Sequence, residues 1–193
     1  MANVSRINGF RPVMHITGAP YNGQFRKYAL LAADGTATFI GDLVKLSGTA
    51  SDDGYPSVAQ AAAGNTPVGV VVGFAPDPTN LNVPIYRAAS TLRVVYVADA
   101  PDLVLESQED AVGGALAITS IGTNVNFIVG SGSTVTGASG MQVDSSTAAT
   151  TSTLPLRLIQ FVDRVDNEIG SANAKVLVAF NVHQYGSVGT TGV

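Results

Sequence analysis

The chain is interrupted every few residues by Gly, Pro, Asn, Asp or Ser, and no stretch of ten or more residues sustains a helical pattern. Each interruption sets a turn or frees the backbone, so only short extended elements fit between them. The intervening runs are rich in Val, Ile, Leu and Phe, which suits a pleated, half-buried surface. Strands are expected at 28–33, 36–40, 42–46, 67–74, 93–97, 103–107, 115–119, 125–129, 156–162 and 175–183. In the last of these, Val176, Val178, Phe180 and Val182 share one face, a period of two that places that face on a core. Asp34-Gly35, between Leu30-Leu31 and Phe39-Ile40, reads as a hairpin turn. The best helical candidate is the alanine-rich run 58–63, one to two turns closed by Gly64. Many short strands without a long helix predict an all-β fold, a barrel or a jelly-roll-like sandwich.

Two segments stand apart from this pattern. Residues 1–25 contain Gly9, Pro12, Gly18, Pro20 and Gly23, with Ile7, Phe10, Val13, Ile16 and Phe25 between them. Such a segment cannot fold alone, yet it carries side chains that need burial. It reads either as an extended N-terminal arm docked on a partner or as a first strand wrapped on its own domain. The arm reading gives a 1–25 arm and a 26–193 β domain, with Arg6, Ile7, Phe10, Arg11 and Val13 as its contact residues. Residues 130–153 are almost wholly Gly, Ser, Thr and Ala, with Asp144 the one charge. They read as a surface loop or as a β-excursion packed on a neighbouring subunit, anchored by Val135, Met141 and Val143.

Charge narrows the function classes. Only 12% of the 193 residues are charged, about half of the usual quarter, so the surface is unusually neutral. Four bases and no acid fall in residues 1–33, whereas six bases and fourteen acids follow. A basic segment on an acidic body suits an interaction with an acidic neighbouring protein. The bases are too dispersed for a nucleic-acid-binding patch. No Cys is present, which removes disulfides, thiol catalysis and Cys-ligated zinc. The longest strongly apolar run, 68–74, has seven residues and cannot cross a bilayer as a helix. Residues 1–25 lack the continuous apolar core of a signal peptide.

Catalytic motifs are not found. Neither a nucleophile elbow nor a phosphate-binding glycine loop occurs. The two histidines, His15 and His183, lie far apart in sequence and read as packing or hydrogen-bonding residues. Two acidic clusters are candidates for chemistry: Asp99, Asp102, Glu106, Glu109 and Asp110, and then Asp163, Asp166, Asn167 and Glu168 before Gly170. Paired carboxylates can do acid–base work, but the first cluster alternates with Leu103, Val104 and Leu105 and reads as a solvated or interface-facing strand edge. The second could offer oxygen ligands to Ca²⁺, but its spacing does not match an EF-hand loop. A hairpin loop explains it as well. No enzyme activity and no cofactor are expected.

Several segments, in order, resemble the head decoration, or cement, proteins of tailed bacteriophages. They are GDLVKL at 41–46, GVVVG at 69–73, YRAASTLRVVYVADAPD at 86–102, ESQED at 106–110, DNEIG at 166–170 and AKVLVAFNVH at 174–183. The resemblance implies a β-rich structural protein on the outer surface of an icosahedral head. Its partners would be the major capsid protein and itself, as a homo-oligomer with a trimer favoured over a dimer. It carries no catalytic residues. A tail or fibre component is the alternative, although no repeats or heptads are present. A carbohydrate-binding or hydrolytic β-barrel would need a convergent polar site, and the chain has no Trp and only two His.

Overall fold

The computed structural model describes residues 3–186, and over that span the chain is all-β. The first strands are β1 (Arg11–His15), β2 (Arg26–Leu30), β3 (Leu43–Ala50), β4 (Pro56–Gln60) and β5 (Gly69–Phe74). They are followed by β6 (Arg93–Ala98), β7 (Leu103–Gln108), β8 (Asn124–Ile128), β9 (Gln142–Ala149), β10 (Leu156–Phe161) and β11 (Lys175–Phe180). A short 3₁₀ turn occupies Ile118–Ser120. Two sheets pack together. One has six strands in the order β1-β7-β11-β10-β8-β9; the other is a closed barrel, β2-β4-β3-β5-β6. All pairings within both sheets are antiparallel except β2 with β4.

Alternation along the barrel strands divides the apolar residues between two cores. Val44, Val71 and Val97 point into the barrel with Tyr28 and Leu30. Their chain neighbours Leu43, Val70 and Ala98 point the other way, into the layer shared with Leu105, Phe127, Leu156 and Val178 of the larger sheet. This explains the unbroken apolar run at 68–74: strand β5 is covered on both faces, so no polar alternation survives. Strand β11 is also buried on both faces. Val176, Val178 and Phe180 enter the main core, while Leu177 and Ala179 form a smaller cluster with Val104, Met14 and Ile159.

Several expectations change. The run 58–63 is not helical: Pro56–Gln60 is strand β4, because Val58 fills the barrel and pairing with β3 outweighs alanine's helix preference. Asp34-Gly35 does not join a hairpin. Strand β2 pairs with β4 and β6, and Asp34 Oδ1 instead accepts the Thr36 N–H at 2.9 Å in a local turn. Thr38 and Ile40 make only isolated bridges, with Arg87 and Ala138. Residues 115–119 lead into the 3₁₀ turn rather than a strand. The 130–153 excursion is ordered on its own chain: Met141 and Val143 are buried and strand β9 pairs with β8. Gly130 and Gly140 allow its base to close, since a Cβ on Gly130 would lie 2.3 Å from the Gly140 carbonyl oxygen.

Candidate functional site

Residues 3–25 lie along the larger sheet instead of standing away from it. Phe10 is only 1% exposed and meets Phe127 edge-on, with ring centroids 6.3 Å apart. Strand β1 pairs with β7, placing Arg11 opposite Glu106 and His15 opposite Leu103. The Arg6 N–H donates to Gln108 Oε1 at 2.6 Å, and Asn3 Nδ2 donates to the Glu168 carbonyl at 2.9 Å. The segment crosses the barrel at two glycines. The Phe10 N–H donates to the Gly41 carbonyl at 2.9 Å. Gly9 and Gly41 have φ of +68° and +94°, and a Cβ on Gly41 would sit 2.7 Å from the Asn8 carbonyl oxygen. That approach requires two residues without side chains.

The five residues read as arm contacts therefore divide. Phe10 belongs to the main core. Arg6, Ile7, Arg11 and Val13 are exposed, Ile7 by 41% and Val13 by 36%. Beside them, where β1 approaches the barrel, lies an open groove of about 490 Å³. Its floor and walls are Phe10, Pro12, Tyr21, Ile40, Val71 and Val72, with Thr136 and Ala138 from the 130–153 segment. Asn8 and Arg11 add an amide and a charge to its rim. Glu106 faces Arg11 across the ladder, but its carboxylate pairs with Arg164 at 3.1 Å. Arg11 makes no ion pair among the described residues.

The first acidic cluster, expected as a solvated or interface-facing strand edge, lies on and beside β7, an interior strand of the larger sheet between β1 and β11, with Asp99 and Glu109 buried and the Asp102 side chain half-exposed. Asp99 is buried; its Oδ2 accepts the Tyr28 hydroxyl at 2.5 Å and meets Arg26 Nε at 2.5 Å. Burial first, and then the hydrogen bonds with Asp99 and Tyr185, push the Tyr28 phenol far above its ordinary range. Asp102 accepts from His15 Nδ1 at 3.0 Å. Asp110 Oδ1 accepts from the Ser145 N–H and hydroxyl at 3.0 and 2.9 Å, tying the end of β7 to β9. Glu109 is fully buried, and burial raises its carboxyl pKa against the opposing pull of backbone N–H groups. Each acid of this cluster has a partner within the fold.

The second cluster is the loop between β10 and β11. Asn167 holds it, donating from Nδ2 to the Val162 and Lys175 carbonyls at 2.8 Å each and accepting the Lys175 N–H at 2.7 Å. Among the described residues, no group of His, Asp and Glu is arranged to hold a metal ion. His183 is buried against Phe180, with ring centroids 5.0 Å apart, and its Nδ1 accepts the Tyr185 N–H at 3.0 Å. Burial lowers its pKa.

Sequence reasoning missed a second surface feature. The 75–92 loop and the tip of the 130–153 segment present Leu81, Ile85, Leu92 and Val135 to solvent. Val135 was noticeable as a lone apolar residue among small polar ones, but nothing in the pattern linked it to residues fifty positions earlier. The link is Gly137: a Cβ there would lie 2.6 Å from Ile85 Cγ2, so Ile85 packs on a bare backbone. Phe39 stacks on Tyr86 with centroids 4.9 Å apart and closes the base of the same feature. Compared with protein-family models, with curated proteins and with solved structures, the chain matches none.

Proposed function

We propose that the protein is a structural virion component that binds the outer surface of an icosahedral phage head and stabilises the lattice of the major capsid protein, acting as a homo-oligomer with a trimer favoured. The observation that carries this reading is the pairing of a sparsely charged chain with large apolar side chains held at the surface on braced loops. Leu81 and Val135 are 86% and 89% exposed, yet the loops beneath them are hydrogen-bonded and packed. Exposed apolar groups on an ordered frame suit a surface that is covered in use. Among the described residues, the acids of the first cluster are engaged by partners within the fold, which favours a binding role over a hydrolytic one. The ordered segment resemblance to decoration proteins adds the identity of the partner. The test is cosedimentation of the purified protein with empty heads of the phage that encodes it. Saturable binding at a copy number set by the head's symmetry is expected. Binding to tails alone, or no saturable binding to heads, would overturn the reading.

A further inference from the structure

The exposed loop tip and the apolar groove are neighbours on one chain. Thr136 and Ala138 line the groove; Val135 and Gly137, the latter beneath Ile85, carry the tip. The tip does not fold into its own groove, since Leu81 and Val135 are almost fully exposed. We infer that the groove between β1 and the barrel receives, from a second copy of this chain, the apolar tip that the 75–92 loop and the 130–153 segment form together where Ile85 packs on Gly137.

Three observations support that occupant. First, the tip is preorganised, so little ordering entropy opposes its insertion. Asp77 Oδ1 accepts the Thr79 N–H and hydroxyl at 2.9 and 2.6 Å, and Arg93 Nη1 donates to the Pro84 and Tyr86 carbonyls at 2.6 and 2.8 Å. Second, the polarities correspond. A groove of about 490 Å³ with mostly apolar walls lies in the size range of built binding sites, and the tip offers Leu81 and Val135 as anchors. Third, the charges correspond. Arg11 on the groove rim lacks an ion-pair partner among the described residues, and Asp77 is the one charge of the loop besides the buried Arg87. A tip on one copy and a groove on the next make a heterologous contact, which closes a ring when the rotation between copies permits. The inference names the interface for the self-association proposed above and rests on that part of the reading, independent of any capsid.

The test uses the full chain without phage heads. Sedimentation equilibrium and light scattering are expected to show a self-association whose Kd rises about tenfold or more in Leu81→Asp and in Val135→Asp, as for central apolar anchors. Both positions are exposed in the single chain, so the melting temperature of the dissociated monomer, measured well below the Kd, is expected to be unchanged. A wild-type chain that stays monomeric at every concentration would overturn the inference together with the proposed oligomer. An oligomer indifferent to both substitutions would overturn the interface alone. The chain has no Cys, so single cysteines report contacts cleanly. Leu81→Cys copies mixed with Asn8→Cys copies and a short bis-maleimide are expected to cross-link to each other more than Leu81→Cys copies do among themselves. Dominant self-cross-linking of Leu81→Cys would place tip against tip and defeat the assignment.

Discussion

Glu109 Oε2 accepts the backbone N–H of Leu116 at 2.7 Å in a place closed to water. Glu109 Oε1 also lies 3.4 Å from the Ala174 N–H, so one carboxylate links the end of β7 to the loops before the 3₁₀ turn and before β11. Replacing Glu109 with Ala strands a buried donor and opens a cavity; a loss of roughly 2 kcal/mol or more is expected in denaturant unfolding. The pH dependence follows from burial, which raises the folded pKa above the unfolded value of about 4.3. Between those two values the folded state holds the extra proton, so stability falls as pH rises through the window. Glu109→Gln cannot titrate. Its melting temperature relative to wild type is therefore expected to climb as pH rises from about 4, and a flat difference would show that Glu109 has an ordinary pKa in the fold.

Phe10 decides whether the first residues are an attachment or part of the fold. It is buried against Phe127 in the main core, while Ile7, three residues earlier, is exposed. Phe10→Ala is expected to cost about 3–5 kcal/mol and Ile7→Ala well under 1 kcal/mol. Deleting residues 2–24 removes Phe10 and β1 together and is expected to abolish the cooperative thermal transition. A truncated chain that melts like the full one would restore the arm reading.

The fold class was legible because its signal is local. Turn residues recur at short intervals, and the β-branched runs between them need no knowledge of the rest of the chain. The errors share a different cause. Strand β4 is absent from the expected strands, and 58–63 is instead the best helical candidate, because Ala59, Ala61 and Ala62 favour helix locally, whereas Val58 and Ser57 are held by partners on β3 and β2. Strand β9 was hidden because QVDSSTAA has little apolar content of its own; its burial comes from Asp110, Phe127 and the loop closed by Gly130 and Gly140. The acidic cluster looked solvated because the partners of Asp99 and Asp102, at Arg26, Tyr28 and His15, are distant in sequence. Of the groove's lining, only Phe10 and Arg11 are among the contact residues expected from the sequence. The remaining wall comes from residues that meet through the Gly9–Gly41 crossing, a contact that no spacing rule reveals.

His183 gives a pH dependence of opposite sign to Glu109. Burial against Phe180 holds its pKa below the unfolded value of about 6.5. Below that value the unfolded chain binds the proton and the folded chain resists it, so the stability contribution present above about pH 6.5 is lost as pH falls. Wild type is expected to lose melting temperature relative to His183→Gln between about pH 7.5 and 5. Equal losses in both proteins would mean that the imidazole is accessible to protons in the folded state.

Arg87 ties the loop tip to the barrel. Its side chain has no exposed surface, and its guanidinium donates to the carbonyls of Leu31, Thr36 and Thr91 at 2.5, 2.5 and 2.8 Å. Asp34 lies 3.7 Å away and supplies the compensating charge. The planar fork matches three acceptors at once, which a single ammonium on a flexible stem cannot do. Arg87→Lys keeps the charge but leaves at least one part-buried carbonyl without its donor, at an expected cost of about 1 kcal/mol or more. Arg87→Met removes the charge and strands Asp34 as well, so a larger loss of about 3–5 kcal/mol is expected. The local consequence matters more for assembly. The acceptors lie in residues 31–36 and 91, on both sides of the segment that carries Leu81 and Ile85, so loosening them frees the base of the tip. Hydrogen exchange is expected to quicken at the Thr38 and Arg87 amides, which pair reciprocally at 3.0 and 2.9 Å, while amides of β7 and β11 keep their protection under conditions where the variant remains folded. Self-association is expected to weaken in Arg87→Lys even though Arg87 touches no second copy, because a tip that must be ordered on docking binds less tightly than one already held. If Arg87→Lys exchanges faster at Thr38 but associates as strongly as wild type, preorganisation of the tip is not what sets the affinity.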